Sequence, residues 1–311
     1  MTGREHHAGS EGNPCETLIP APALLLLSML MVSGYVVLGR ALSADIPPVG
    51  LVFWRTVLAT AVLGLLFGQR IRRQWSLLTE RWRTLLLLGT LQAVTGHVLL
   101  LTALKSTTAI NTGLLMATQP ALTVAAAWVL LGDRLRARQL AGLVIAAVGA
   151  LAIVARGDLG ILFGLAFTPG DIFVGLAMIS FAIYNATIPR MPRTIDPFVM
   201  FFGIVAATMA TIGPLYAIEL LWFKQQMVLD LETMAMVIYF ALFASILGIV
   251  FLNTAIARMG PSRVGVYLYL LPVFIAGLAI IALDEAPLAY HFIGLAVVTL
   301  GVFLADRRRP T

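Results

Sequence analysis

Few side chains in this chain can do chemistry, and most of those that can lie inside long apolar stretches. Polar groups are costly in such surroundings, so each one needs a reason. His97 is the sharpest case, near the centre of an apolar stretch and one to two turns from Gln92. A histidine titrates near physiological pH and can hold a ligand or relay a proton. Bonded neutral to a backbone carbonyl or to Gln92, it would be structural only. Arg55, beside Trp54, can attract a carboxylate through paired hydrogen bonds. It can equally snorkel to the surface or tie helices together through carbonyls. Gln119 adjoins Pro120, and Asn111 and Thr112 precede it by two turns. Tyr35 and the pair Tyr184–Asn185 fall at related depths. Asn253 follows, then Tyr267 and Tyr269 ahead of Pro272. Aromatic rims with a few amides suit a partly apolar small molecule. Each tyrosine also has a plainer reading as an interfacial belt or helix contact.

The omissions are equally telling. Cys15 is the single cysteine, so an intrachain disulfide and a cysteine-based metal site are excluded. His6 and His7 sit side by side on a polar leader and point to no metal. No glycine-rich phosphate loop with Lys and Ser/Thr occurs, so ATP hydrolysis is not expected, and no cofactor is. No carboxylate lies near the centre of an apolar stretch; Asp171 and Glu219 are close to stretch ends. Exchange of one proton for a cationic drug at a buried carboxylate therefore lacks its central residue.

The elements that must position these groups follow from composition. The chain is 60% hydrophobic and 12% charged, with a mean hydropathy of +0.95. A bilayer-spanning helix needs ~20 apolar residues. Ten stretches qualify, here segments 1 to 10, at about 22–42, 49–68, 84–104, 109–131, 139–155, 171–189, 197–221, 234–256, 264–283 and 287–305. Period-two alternation is absent, which disfavours a barrel. The predicted fold is an all-α membrane protein of ten transmembrane helices. Residues 1–17 read as a disordered cytoplasmic tail. With that tail inside, 16 of the 21 Lys and Arg residues fall on the inner side: Arg4, Arg70, Arg72, Arg73, Arg81, Arg83, Arg134, Arg136, Arg138, Arg190, Arg193, Arg258, Arg263, Arg307, Arg308 and Arg309. Arg40, Lys105, Arg156 and Lys224 fall outside. This asymmetry makes both termini cytoplasmic and accounts for the net charge of +6 without a nucleic-acid partner. Ala41-Leu42-Ser43 resembles a signal-peptide cleavage site. The leader's three Glu against one Arg oppose that reading, as does the match of segment 1 to segment 6.

Segments 6 to 10 repeat segments 1 to 5. At an offset of 152, Thr102-Ala103 falls on Thr254-Ala255, Gly113 on Gly265, Pro120 on Pro272, Asp133 on Glu285, Gly142-Leu143 on Gly294-Leu295 and Gly149 on Gly301. Arg40 and Pro48 correspond to Arg190 and Pro197 with a small gap. The first five-helix repeat is 18–155 and the second 156–311. An odd number of spans per repeat inverts the two halves. Paired helix breaks in inverted halves mark a central site. Pro120 and Pro272 should supply them by freeing the carbonyls of Met116 and Leu268; the plainer reading is a static kink. Asp133 and Glu285 end their segments at opposite faces and are candidate gates, or merely solvated termini. His97, Gln119, Tyr35 and Tyr267 are expected to face one space lined by segments 3, 4, 8 and 9, with 1 and 6 contributing. Small residues in segments 5 and 10 suggest scaffold packing and a possible dimer face, so the chain is a monomer or a homodimer.

The stretch from Thr102-Ala103-Leu104 through Gln119-Pro120, Leu131-Gly132-Asp133-Arg134 and Gly142 to Gly149 carries a resemblance. It recurs as Asn253-Thr254-Ala255 through Leu271-Pro272, Leu283-Asp284-Glu285 and Gly294 to Gly301. These residues, with Pro48 and Arg55, resemble the EamA-type members of the drug/metabolite transporter superfamily over nearly everything after the tail. The family typically has glutamate where this chain has Asp133. The resemblance implies a secondary carrier for amino acids, drugs or other metabolites, with a small-molecule substrate and the lipid bilayer as partners. Export of amino acids or related metabolites across a bacterial inner membrane is the leading expectation. An uptake carrier or facilitator is the alternative. A lipid-modifying intramembrane enzyme using His97 or His291 is the rival class; it would need acid–base groups converging at one depth.

Overall fold

Helices fall on all ten apolar stretches in the computed structural model, which describes residues 19–42, 46–107, 109–155, 157, 158, 160, 168–224, 227, 230–282 and 288–306. Their bounds are Ala21–Leu42, Pro48–Arg73, Trp82–Ala103, then Ala109–Met116 with Gln119–Leu131, and Ala137–Val154 in the first half. The second half has Pro169–Thr187, Pro197–Leu221, Leu231–Met259, then Pro261–Tyr267 with Leu271–Ala282, and Ala289–Asp306. Among the described residues nine helices are long and apolar enough to cross a bilayer, and a tenth apolar helix, Ala289–Ala305, is shorter. No strand occurs among them. The tail 1–17 with Arg4, His6, His7 and Cys15 lies outside the described residues. So do Arg156, Glu285, Arg307, Arg308 and Arg309 and the side chain of Arg40.

Helix starts follow local rules. Pro48, Pro169, Pro197 and Pro261 each open a helix, where the missing N–H would have had no intrahelical partner. Asp196 caps segment 7 by accepting the amide of Phe198 at 2.9 Å. Asp230 caps segment 8 by accepting that of Thr233 at 2.8 Å, which holds its exposed carboxyl below the ordinary aspartate range. Gly132, at φ +70°, stops segment 4 in the left-handed conformation that glycine adopts without a steric cost. Leu65, Val129, Ile281 and Leu231 point outward, as expected where the surrounding medium is hydrocarbon.

The main helix pairings are unchanged when each segment is exchanged for the one five places away. Segments 2 and 7, 4 and 9, and 5 and 10 pack against each other. Segment 1 lies on segments 8 and 9, and segment 6 lies on 3 and 4. Segments 2 and 7 are joined at both ends and in between. At one end Glu219 accepts the amides of Val49 and Gly50 at 3.0 and 2.6 Å. At the other Arg70 pairs with Asp196 at 3.0 Å, and Gln74 accepts the Asp196 amide at 2.9 Å. Phe53 stacks on Tyr216 between them, centroids 4.4 Å apart.

Segments 5 and 10 are held by small residues facing each other. A methyl group on Gly142 would lie 2.5 Å from the Gly301 carbonyl oxygen, and one on Gly301 would lie 2.5 Å from the Ala146 nitrogen. These glycines are thus consumed within the chain, and the dimer face expected from them is an intramolecular contact. Gly301→Val should push the two helices apart at a cost of ~1–3 kcal/mol. Thermal unfolding of the detergent-purified protein should show a lowered midpoint. Gly213→Ala, where an added methyl meets nothing within 4 Å, should hold or raise it.

Candidate functional site

Three polar side chains from the first half meet in the core. Tyr35 of segment 1 is 5% exposed, as is Arg55 of segment 2. Arg55 therefore does not snorkel: its guanidinium carbon lies 5.6 Å from the centroid of the Tyr35 ring. The His97 ring of segment 3 meets the Tyr35 ring edge-on at 5.3 Å. Aromatic walls from the second half close around them. Phe240 of segment 8 packs on Tyr35 at 4.4 Å, and Phe181 of segment 6 packs on His97 at 5.0 Å. Gly96 makes room for Phe181, since a methyl group there would sit 2.5 Å from that ring.

The backbone at His97 is a π-helix, Thr90–Val98. His97 Nδ1 lies 2.7 Å from the carbonyl oxygen of Gln92, five residues back. A carbonyl only accepts, so Nδ1 carries the hydrogen, and in the neutral ring Nε2 keeps its lone pair. Thr95 donates likewise to Thr90, also five back, at 3.3 Å. Segment 8 contains a second π-helix, Phe240–Leu247, which overlaps Thr90–Val98 at the offset relating the halves. Wide turns of this kind are rare and collect at functional sites.

A second polar group is internally satisfied. Tyr184 and Asn253 hydrogen-bond each other at 3.0 and 2.8 Å, deep in the core. Asn185 donates to Thr123 at 3.5 Å, and Thr123 donates to the Gln119 carbonyl at 2.9 Å. These residues tie segment 6 to segments 8 and 4. Segments 4 and 9 are interrupted alike, with Pro120 and Pro272 each second in the half-helix after the break. In segment 4 the chain narrows, and Thr118 donates its amide to Leu115 at 3.0 Å. In segment 9 the break is a 3-10 turn, Leu268–Leu270. The Leu268 carbonyl, expected to be free, instead accepts the amide of Leu271; a 3-10 turn re-pairs a carbonyl that proline has released. Tyr267 and Tyr269 are buried at this turn, and half-buried Gln119 begins the half-helix that carries Pro120. Tyr35 and His97 thus share one cluster, to which segment 2 contributes as well; Gln119 and Tyr267 belong to the packed breaks of segments 4 and 9. Asp133 is half-buried just after the Gly132 stop, its amide reaching Ala127 at 3.4 Å. His291 accepts the Leu288 amide at the start of segment 10 at 3.0 Å. No contact joins it to His97 among the described residues.

Sequence reasoning undervalued two carboxylates. Asp171, 3% exposed, accepts the Thr107 hydroxyl, the Asn111 amide at 2.9 Å and the Thr168 amide at 2.7 Å. It pins the start of segment 4 to the start of segment 6. The signal was present as Thr168-Pro169-Gly170-Asp171, a helix-start pattern. Glu219 offered no such local signal, because its partners lie 169 and 170 residues away. Phe181 and Phe240 were missed as well, being phenylalanines among many.

The EamA-like transporter family model matches the chain twice, over residues 20–155 and 168–305. An uncharacterized transporter of Archaeoglobus fulgidus is 26% identical over 290 residues, spanning 92% of this chain and 97% of its own. YyaM of Bacillus subtilis, an uncharacterized transporter, is 24% identical over 260 residues, spanning 81% of this chain and 82% of its own. YetK of the same organism, likewise an uncharacterized transporter, is 26% identical over 294 residues. A crystal structure of 21% identity shares the fold, with a TM-score of 0.76 over 92% of this chain and 96% of that one. With both halves matched and the apolar helices in place, the chain is an integral membrane protein that belongs to the EamA-like transporter family.

Proposed function

We propose that the chain is a secondary carrier that exports amino acids or related small metabolites by alternating access. In this reading ten helices cross a bacterial inner membrane as two inverted five-helix repeats, 18–155 and 156–311, with both termini cytoplasmic. The observation that carries it is the pairing of irregularities. Segments 3 and 8 both widen into π-helices, and segments 4 and 9 both break just before a proline. Such breaks at equivalent places weaken four helices around one core, while segments 2 with 7 and 5 with 10 stay zipped. Rocking of one half against the other then exposes the Tyr35–Arg55–His97 cluster to each side in turn. Asp171 and Glu219 fasten helix ends that this topology assigns to the outer face. Asp133 and Glu285 remain candidate gates at the two faces. His291 serves as a helix-end hydrogen-bond acceptor and takes no part in the His97 cluster.

Topology is tested by single cysteines at the exposed positions Ser76 and Lys105 in a Cys15→Ser background. A membrane-impermeant thiol reagent added from outside should label Lys105→Cys and spare Ser76→Cys. Labelling of both from outside would end the inverted-repeat argument.

The breaks are tested by Pro120→Ala and Pro272→Ala. Each restores an amide that can bridge the break; both prolines are second in a half-helix, where proline is tolerated. Membrane expression should be normal, while flux into proteoliposomes should fall and accessibility from the two faces become unequal. Wild-type flux in both variants would make the prolines static packing features.

A further inference from the structure

We propose that Arg55 and the Tyr35 hydroxyl read an anionic group on the transported molecule, so that the substrate is an organic acid with an apolar body. This rests on the carrier reading above and names the chemistry of its site.

Arg55 carries five N–H donors and a permanent charge. Among the described residues it makes no hydrogen bond and no ion pair; its recorded partner is the face of the Tyr35 ring. The Tyr35 hydroxyl is itself buried with no hydrogen-bond partner. Two sets of donors thus stand together in the core, neither of them hydrogen-bonded among the described residues. Leaving a buried donor unmade is costly, and a charged one more so. A structural arginine would take its counter-charge from the chain. The two buried carboxylates among the described residues, Glu219 and Asp171, are both used otherwise. Glu219 reaches segment 2 within two turns of Arg55, yet both its oxygens go to the amides of Val49 and Gly50. Asp171 is occupied by Thr107, Asn111 and Thr168.

The remaining walls define the rest of the ligand. Phe181 and Phe240 flank the polar trio and offer only apolar faces. His97 has committed Nδ1 to the Gln92 carbonyl. No carboxylate joins this contact set, so a ligand's ammonium group meets no counter-charge there. One fixed cation and a phenol hydroxyl match a single carboxylate, whose two oxygens fit the guanidinium fork. The class is therefore a monocarboxylate on a flat or apolar body, with an amino group tolerated and not required.

The test is binding to the full-length protein in lipid nanodiscs, read as the thermal midpoint over a concentration series. The probes are 3-phenylpropionate, 3-phenylpropionamide, phenylalanine and phenethylamine. Both acids should bind, with 3-phenylpropionate tighter than the amide and phenethylamine by about tenfold or more. Arg55→Gln should abolish that preference, and Arg55→Lys should keep part of it, since lysine retains the charge but loses the fork. Tyr35→Phe should give a smaller loss. Equal binding of acid and amide, undiminished acid binding to Arg55→Gln, or no binding of any probe would each overturn the proposal. The acid-to-amide comparison on the wild-type protein decides the matter even where Arg55→Gln fails to fold. Flux measured on the same preparation separates the two readings. Flux of a non-acidic solute without acid binding removes only the anion site. Acid binding without flux of any bound probe removes the carrier and keeps the site.

Discussion

Hydrocarbon offers no hydrogen bonds, so every charge and every broken backbone turn in this chain must be answered from within the protein. That constraint explains where the polar side chains have gone. Glu219 takes two orphan amides at the start of segment 2, and Asp171 takes an amide, an asparagine and a threonine at the start of segments 4 and 6. Thr56, Thr102, Thr187 and Thr254 each return their hydroxyl to the carbonyl four residues back. Against this background Arg55 and the Tyr35 hydroxyl make no hydrogen bond among the described residues, and the buried hydroxyls of Thr168 and Ser262 share that state.

The same constraint divides the molecule mechanically. Segments 5 and 10 approach so closely at Gly142, Gly149, Gly294 and Gly301 that side chains are excluded from the contact. Segments 2 and 7 are fastened by carboxylates at both ends. These pairs have little freedom. Segments 3, 4, 8 and 9 instead contain π turns and interrupted helices, where the regular ladder is already disturbed and a change of shape disrupts fewer bonds. Segments 1 and 6 go with the irregular helices: each lies on the two irregular helices of one half. Tyr35 and Phe181 sit on segments 1 and 6, so motion of the irregular helices is felt at the His97 cluster.

Much of the architecture was legible in the chain itself. Runs of ~20 apolar residues can only be helices in lipid, so the helix positions followed directly, with bounds shifted by a few residues where Pro48, Pro169 and Pro261 open a helix early. The duplication was legible because proline and glycine have backbone consequences that recur wherever the backbone recurs; Pro120 and Pro272 break their helices in the same register. Helix-start chemistry at Thr168–Asp171 was also readable, being local.

What only the tertiary structure decided is which polar groups meet. Tyr35, Arg55 and His97 come from three helices, and their rings are closed in by Phe181 and Phe240 from the other half. Tyr184 and Asn253 looked like equally good ligand contacts from sequence, yet they satisfy each other. The π-helices left no signature, because one extra residue per turn leaves an apolar pattern nearly unchanged. Sequence spacing sets the face of a helix a side chain occupies. Which neighbour answers that face depends on how the two halves cross, and the cost of an unpaired group in hydrocarbon makes that crossing the step that separates packing residues from those left for a ligand.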